Sequence, residues 1–289
     1  MVASTPDKFV AACIQMCSGR DVETNVETAL SLVTEAARAG AHFVATPEMT
    51  SILELDRQSL FAKITDEAND RALSVLRAAA SDHGIWLLIG SLPIRLGDGK
   101  AANRSFLVGP DGGIRARYDK IHMFDVDLAN GESYRESASF TPGEQAVVAD
   151  LPWGRLGMTV CYDLRFPHLF RTLASHGASI LAIPAAFTRQ TGEAHWHVLQ
   201  RARAIENGAF VIAPAQGGRH ENGRETFGHS MIVAPWGEIL AEAGTEPGVI
   251  TAEIDMALVA QARSRVPSLR NGRAFADPEI SKADLRAAS

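Results

Sequence analysis

The sequence predicts an α/β protein, a four-layer α-β-β-α sandwich built from two similar halves. Three observations carry that prediction. Strand-like and helix-like segments alternate along the chain, as they do in layered α/β folds. Two stretches recur: 40–47 (GAHFVATP) resembles 177–184 (GASILAIP) at an offset of 137, and 105–114 (SFLVGPDGGI) resembles 230–239 (SMIVAPWGEI) at an offset of 125. The chain is also long enough, at 289 residues with 46% apolar side chains, to bury a sizeable core. Two halves that each carry helices on one side of a sheet cover their bare faces by packing sheet to sheet.

In chain order, the apolar run from Phe9 predicts a strand over 8–16. A helix over 22–39 follows, with Asp21 placed to cap it and Gly40 to end it. Short apolar runs predict strands over 42–47 and 85–91, flanking a helix over 66–83. Strands over 103–109 and 113–119 form a hairpin through the turn around Pro110. The second half repeats the theme with a strand over 156–161, a helix over 167–177 opened by Pro167, a strand over 179–184 and a helix over 193–207. Strands over 209–215, 227–234, 238–243 and 248–254 and a short helix over 256–264 complete it. No low-complexity linker separates the halves, so the chain reads as one domain over 1–289, with a core over about 9–263 and a polar tail over about 264–289.

Composition excludes several classes of function. A net charge of −6 with no basic run argues against nucleic acid or an anionic membrane as partner. No apolar stretch approaches the roughly 20 residues that span a bilayer, and the first residues lack the apolar core of a signal peptide. Three cysteines make no disulfide framework, which points to a reducing cytoplasm. Cys13 and Cys17, at the first strand, read as packing residues. The paired glycines at 112–113 and 217–218 read as turn residues, since neither lies in a phosphate-binding pattern. His195 and His197, two apart on one helix, face different ways; no Cys or His cluster has metal-site spacing, and no metal or organic cofactor is expected.

The candidate chemistry centres on Cys161, which closes an apolar strand and precedes a helix opened by Pro167. A strand-to-helix turn exposes the sulfur beside free backbone N–H groups, and a helix N-terminus favours thiolate. A nucleophile of this kind needs a base and an oxyanion partner. Glu48 follows the strand over 42–47, and Lys120 follows the strand over 113–119, where α/β sheets gather their sites. Their alternative readings are a turn cap and a solvated surface lysine.

Together, Pro47-Glu48, Lys120 within YDKIHMFD and Cys161 within VCYDLRFP resemble the Glu-Lys-Cys triad of the nitrilase (carbon–nitrogen hydrolase) superfamily, over nearly the whole chain from Phe9 to about Arg273. The resemblance implies the α-β-β-α sandwich, a small-molecule amide substrate, and homo-oligomers such as dimers or tetramers. It implies a second glutamate, best matched by Glu136 with Glu132 as fallback, and an oxyanion held by Lys120 and the Tyr162 backbone N–H. The segments 184–206, 215–220 and 227–238 resemble the branch that acts on deaminated glutathione; a sister branch, omega-amidase, acts on 2-oxoglutaramate and 2-oxosuccinamate. Within this resemblance Arg165 looks like a carboxylate clamp, with Phe187 and Thr191 lining the same pocket. The alternative for Arg165 is an ion pair with Asp163 or Glu206. The sequence departs from the family at Met49, Thr50 and His168, which bears on substrate size. Less favoured readings are N-carbamoyl or nitrile hydrolysis and, outside enzymes, a silent scaffold or redox-sensing thiol protein.

Overall fold

A computed structural model describes residues 7–128 and 131–278. The expectations for the first six residues and for the last part of the tail lie outside the described residues.

The first half runs β1 (Lys8–Gln15), α1 (Val22–Arg38), β2 (Phe43–Ala45), α2 (Arg57–Lys63), α3 (Arg71–His83), β3 (Trp86–Arg95), β4 (Ala101–Val108) and β5 (Ile114–Asp119). A small ribbon, β6 (Asp125–Asp127) and β7 (Ser133–Arg135), leads to the second half. That half runs β8 (Val147–Leu151), β9 (Gly154–Met158), α4 (Pro167–Ser175), β10 (Ala178–Ala182), α5 (Arg189–Asn207) and β11 (Phe210–Ala213). A second ribbon, β12 (Gly217–Arg219) and β13 (Glu225–Phe227), precedes β14 (Met231–Val233) and β15 (Ile239–Glu242). The last elements are β16 (Gly248–Asp255) and α6 (Ala257–Arg265).

The two large sheets have the orders β16-β1-β2-β3-β4-β5 and β8-β9-β10-β11-β14-β15. Read in those orders, both pair antiparallel, parallel, parallel, antiparallel, antiparallel. The offset of 137 superposes β2 on β10, and the offset of 125 superposes β4 on β14. Strand alternation explains the layers. Phe9, Ala11 and Cys13 of β1, Phe43 and Ala45 of β2 and Leu88 of β3 enter the cluster shared with the second sheet. Their neighbours Ala12, Ile14, Val44, Leu87 and Ile89 pack with Val26, Ala29 and Val33 of α1 and Leu73 and Leu76 of α3. On the other side, α4 and α5 cover β10 and β11. The result is the α-β-β-α sandwich.

Local chemistry sets the ends of the elements. Asp21 caps α1 by accepting from the Thr24 N–H at 2.8 Å, and the chain turns at Gly40 with φ +89°. The helix expected over 66–83 is split: Asp66 caps a 3₁₀ turn at Glu67–Asn69, and Asp70 caps α3 through the Leu73 N–H. The strand expected over 227–234 breaks because Gly228 and His229 adopt φ of +71° and +53°. α2, β8 and the two ribbons were not anticipated, and α5 begins four residues earlier than expected. Among the described residues, no helix is long and apolar enough to cross a membrane.

Candidate active site

The site forms where loops leave the C-terminal ends of strands from both sheets. After β2 the chain turns over β3: the Thr50 N–H donates to the Ser91 carbonyl at 3.0 Å and the Met49 N–H to the Ser91 hydroxyl at 2.9 Å. A Cβ at Gly90 would lie 2.0 Å from the Thr46 carbonyl oxygen, so only glycine lets this turn sit so close. Met49, with φ +55°, completes the reversal and aims Glu48 inward.

Glu48 and Lys120 are both buried, so neither the cap nor the solvated-lysine reading holds. Glu48 Oε1 accepts from Lys120 Nζ at 2.9 Å, and Glu48 Oε2 accepts from the Ala186 N–H at 2.8 Å. Ala186 stands at the repeat position of Met49, so the equivalent turns of the two halves meet at this carboxylate. Lys120 Nζ also donates to both oxygens of Glu136, at 3.0 and 2.8 Å. The Phe124 N–H donates to Glu136 Oε2 at 2.7 Å. Glu132, the fallback, instead accepts from the Tyr134 hydroxyl at 2.8 Å. One residue went unnoticed in the sequence: Asn103, fully buried on β4, donates through Nδ2 to Glu48 Oε1 at 2.9 Å and Glu136 Oε1 at 3.0 Å.

Cys161 stands three residues past the end of β9 with φ +49°, a left-handed conformation uncommon for a non-glycine residue. Its N–H donates to the Pro184 carbonyl at 2.8 Å. Asp163, fully buried, ties this elbow to the lysine loop. It accepts from the Val160 N–H at 2.8 Å, the Tyr118 hydroxyl at 2.6 Å and the His122 N–H at 3.1 Å, and it meets His122 Nδ1 at 2.7 Å. Tyr162 follows Cys161 in a 3₁₀ turn, and α4 begins only at Pro167. The sulfur therefore does not lie at the N-terminus of α4. Nor is it held as thiolate: burial and the adjacent Glu48 charge push the Cys161 thiol well above its usual range, against the opposing pull of Lys120. Burial would raise Glu48 too, but the Lys120 charge and the hydrogen bonds from Lys120 and Cys161 outweigh it and hold the carboxyl below its usual range. Burial opposes the charge on Lys120, and the two glutamates more than offset that, raising it. The resting site is thus a neutral thiol beside an ionised carboxylate–lysine cluster.

These groups open into one cavity of about 240 Å³, a size for small molecules rather than folded chains. Phe124, Tyr134, Tyr162, Phe187 and Thr191 wall it. Arg165 is not among the lining residues. Its guanidinium lies 5.3 Å over the Phe187 ring, and its Nη2 meets His195 Nδ1 at 3.2 Å. Neither ion pair of the alternative reading forms: Asp163 is engaged as above, and Glu206 accepts from Arg203 at 3.0 Å. The arginines that line the cavity are Arg135 and Arg224, which the sequence did not single out. Met49 lines it as well, Thr50 turns away to the Thr46 hydroxyl at 2.8 Å, and His168 is exposed against Phe166.

His197, facing away from His195 as expected, joins His229 and Glu242, with ligand atoms all within 4.8 Å of one another. Sequence spacing could not show this cluster, because its members come from α5 and the β14–β15 region; none lines the cavity. The cysteines form no disulfide. Cys13 is buried, but Cys17 is only half-buried, with its sulfur 3.7 Å from His220 Nδ1.

Residues 10–264 match the carbon–nitrogen hydrolase family. The chain belongs to that family. Like other carbon–nitrogen hydrolases, it is a hydrolase of non-peptide carbon–nitrogen bonds. This carbon–nitrogen hydrolase is 40% identical over 272 residues to a deaminated glutathione amidase of Synechocystis, covering 91% of this chain and 97% of that one. It is 35% identical over 265 residues to human omega-amidase NIT2, covering 92% and 95%. A solved amidase of Nesterenkonia sp. AN1 matches with a TM-score of 0.76 and 29% identity, covering 91% of this chain and 96% of that one. That structure shows covalent addition of the acetamide moiety of fluoroacetamide at the active-site cysteine.

Proposed function

We propose that the protein is an amidase that cleaves the γ-amide of deaminated glutathione, giving 2-oxoglutarate and cysteinylglycine. The observation that carries this reading is the Glu48–Lys120–Glu136 cluster set against a neutral, buried Cys161 at the floor of a small cavity. The 40% identity to a deaminated glutathione amidase supports the choice of substrate. In this reading Glu48 takes the thiol proton as the sulfur attacks the amide carbonyl. A depressed carboxyl and a raised thiol make that transfer unfavourable at rest, so it occurs only as the carbon–sulfur bond forms. Lys120 and the Tyr162 backbone N–H receive the charge developing on the carbonyl oxygen. Glu48 returns the proton to the departing amine, and a thioester remains on Cys161. Water then attacks that thioester with Glu48 as base, while Glu136 holds Lys120 in place. No step calls on a metal or an organic cofactor.

The carboxylate of the 2-oxo acid is assigned to Arg165, whose guanidinium lies 5.3 Å over the Phe187 ring that walls the cavity; arginine's planar fork suits a carboxylate. The second reading is omega-amidase, favoured by the 35% identity to NIT2. Homo-oligomers would use the exposed apolar side chains Val198, Ile205, Trp236 and Leu240, on α5 and around β15. Steady-state kinetics on deaminated glutathione and 2-oxoglutaramate test the reading, together with intact-mass detection of an acyl adduct on Cys161. A higher kcat/KM for the first amide is expected, and a preference for the smaller amide would replace the first reading with the second. Absence of both turnover and an adduct with either amide would overturn both substrate readings.

A further inference from the structure

We propose that Arg224 is a second carboxylate anchor of the cavity, so that the substrate class is a dianionic amide with one carboxylate on its acyl half and one on its amine half. This rests on the amidase reading above and adds to it where the leaving half of the substrate is bound.

Two guanidinium groups line the cavity, and they differ in one respect. Arg135 is paired with Asp127, its Nη2 donating to both carboxylate oxygens at 2.8 and 2.9 Å. Arg224 has no carboxylate in an ion pair with it among the described residues. It donates Nη2 to the Ala186 carbonyl at 2.6 Å and lies 5.2 Å over the Tyr134 ring. Its Nε is buried and meets no hydrogen-bond acceptor. A buried charged donor without an acceptor is costly until a ligand supplies one, and arginine keeps its charge at any working pH. A carboxylate would close the fork and neutralise the group together.

The position of Arg224 states which half of the substrate it meets. Ala186, whose carbonyl Arg224 holds, donates its own N–H to Glu48 Oε2 at 2.8 Å. Arg224 therefore flanks Glu48, and its charge contributes to the lowering of that carboxyl. Glu48 is the group that hands a proton to the departing amine, so the amine half must lie beside Glu48 and extend toward Arg224. Arg165, outside the lining but stacked over the Phe187 ring that walls the cavity, is left for the acyl half. In deaminated glutathione the two carboxylates sit on these two halves, on the 2-oxo acid and on the terminal glycine. 2-Oxoglutaramate carries only the first.

The test uses the full-length enzyme and three amides: deaminated glutathione, its glycinamide analogue with the terminal carboxylate neutralised, and 2-oxoglutaramate. Wild type is expected to prefer deaminated glutathione over the glycinamide by about 10- to 100-fold in kcat/KM. Arg224→Gln should remove most of that preference, largely through KM on the dianion, with at least tenfold smaller losses on the two monoanions. Arg224→Lys should fall between, and Arg165→Gln should weaken all three substrates alike. Equal losses on all substrates in Arg224→Gln would show that Arg224 only pins the Ala186 turn, and a wild type indifferent to the glycine carboxylate would overturn the proposal outright. If wild type hydrolyses none of these amides, the amidase reading fails separately. Calorimetry on Cys161→Ala then decides the anchor: it must bind deaminated glutathione more tightly than the glycinamide and lose that difference when Arg224→Gln is added. Equal binding, or no binding, of the two would overturn the anchor.

Discussion

The two halves of the molecule share a strand pattern but divide the chemistry unequally. Each places a short parallel strand, β2 or β10, ahead of a turn that begins with proline. In the first half that proline is followed by Glu48; at the repeat position in the second half stands Ala185. The first half carries the charged members of the site, Glu48 after β2 and Lys120 after β5, with Glu136 in the segment that follows, and the neutral Asn103 on β4 that bridges the two glutamates. The second half carries the sulfur, on a left-handed elbow, and backbone N–H groups. Their edge strands differ as well. β8 is the hairpin neighbour of β9, whereas β16 crosses from the far end of the chain to pair with β1 over eight residues. A buried ionic cluster costs desolvation, so the half that holds it depends on every ion being paired. The sulfur itself is a neutral thiol with no ion to pair, and the buried Asp163 beside it keeps all its hydrogen bonds when the sulfur is removed. Substitutions should therefore cost activity in both halves but stability in one.

The largest expected effect is on turnover. Cys161→Ala should lower kcat by about 10⁴-fold or more, because removal of a nucleophile disables the whole catalytic unit. Its melting temperature should stay within a few degrees of wild type. Glu48→Gln should be as damaging to kcat, yet it also leaves Lys120 and the Ala186 N–H facing a neutral amide. Melting curves of the two variants separate the halves: equal stability losses would show that the ionic cluster is no more demanding than the thiol. Retained turnover in Cys161→Ala would refute the catalytic assignment.

Next comes Lys120→Gln, which leaves Glu48 and Glu136 buried without their cation. Activity should fall by about 10²- to 10³-fold and stability by about 3–5 kcal/mol. The pH dependence of stability should reverse sign. In wild type the Glu48 carboxyl lies below its unfolded value, so its contribution is present at neutral pH and lost as pH falls through the folded value. The Lys120 contribution, from a raised value, is complete below the unfolded value and lost only in strong alkali. Without Lys120, protonating a carboxyl relieves repulsion, and the variant should gain stability on mild acidification. Urea melts across the acidic range decide this; parallel curves for variant and wild type would sink it.

Much of this was legible in the sequence, for physical reasons that also mark where legibility stopped. The strand runs around Phe43 and Ile180 are apolar on both faces because both faces are buried, and a repeated Pro after each set the architecture. Glu48, Lys120 and Cys161 stand in local motifs that read without the fold, whereas Glu136 came only through the family resemblance, with Glu132 left open beside it. β8 and α2 escaped because a five-residue, half-buried strand and a seven-residue helix carry too little periodicity. The pairing of β16 with β1 is long-range and leaves no local trace. Arg224 lies in a run of turn residues, and only the contact of that turn with Ala186 brings it to the cavity. The place of Arg165 depends on its stacking over Phe187, a packing choice that spacing does not encode. The expectation of a thiolate at a helix N-terminus failed because the 3₁₀ turn at Cys161–Arg165 separates the sulfur from α4.

The smallest effect belongs to Asn103, a positioning residue that the charged cluster needs for geometry rather than for charge. Its Nδ2 joins Glu48 and Glu136, while its Oδ1 is buried without a partner. Asn103→Ala removes the donor and the unsatisfied acceptor together, so the stability terms partly cancel, and a net loss of about 1 kcal/mol is expected. Turnover has no such compensation. Glu48 would lose one of the donors that fix its Oε1, and kcat should fall by about tenfold with KM little changed. Loss of a donor to a carboxylate disfavours its charged form, so the Glu48 value should rise and the acid limb of the kcat/KM profile should move to higher pH. Asn103→Asp sharpens the contrast. A third carboxyl beside Glu48 and Glu136 should destabilise the fold more than alanine does and shift the acid limb further in the same direction. An acid limb that stays in place in both variants would mean that Asn103 only fills space on β4, and that Lys120 alone orients the glutamates.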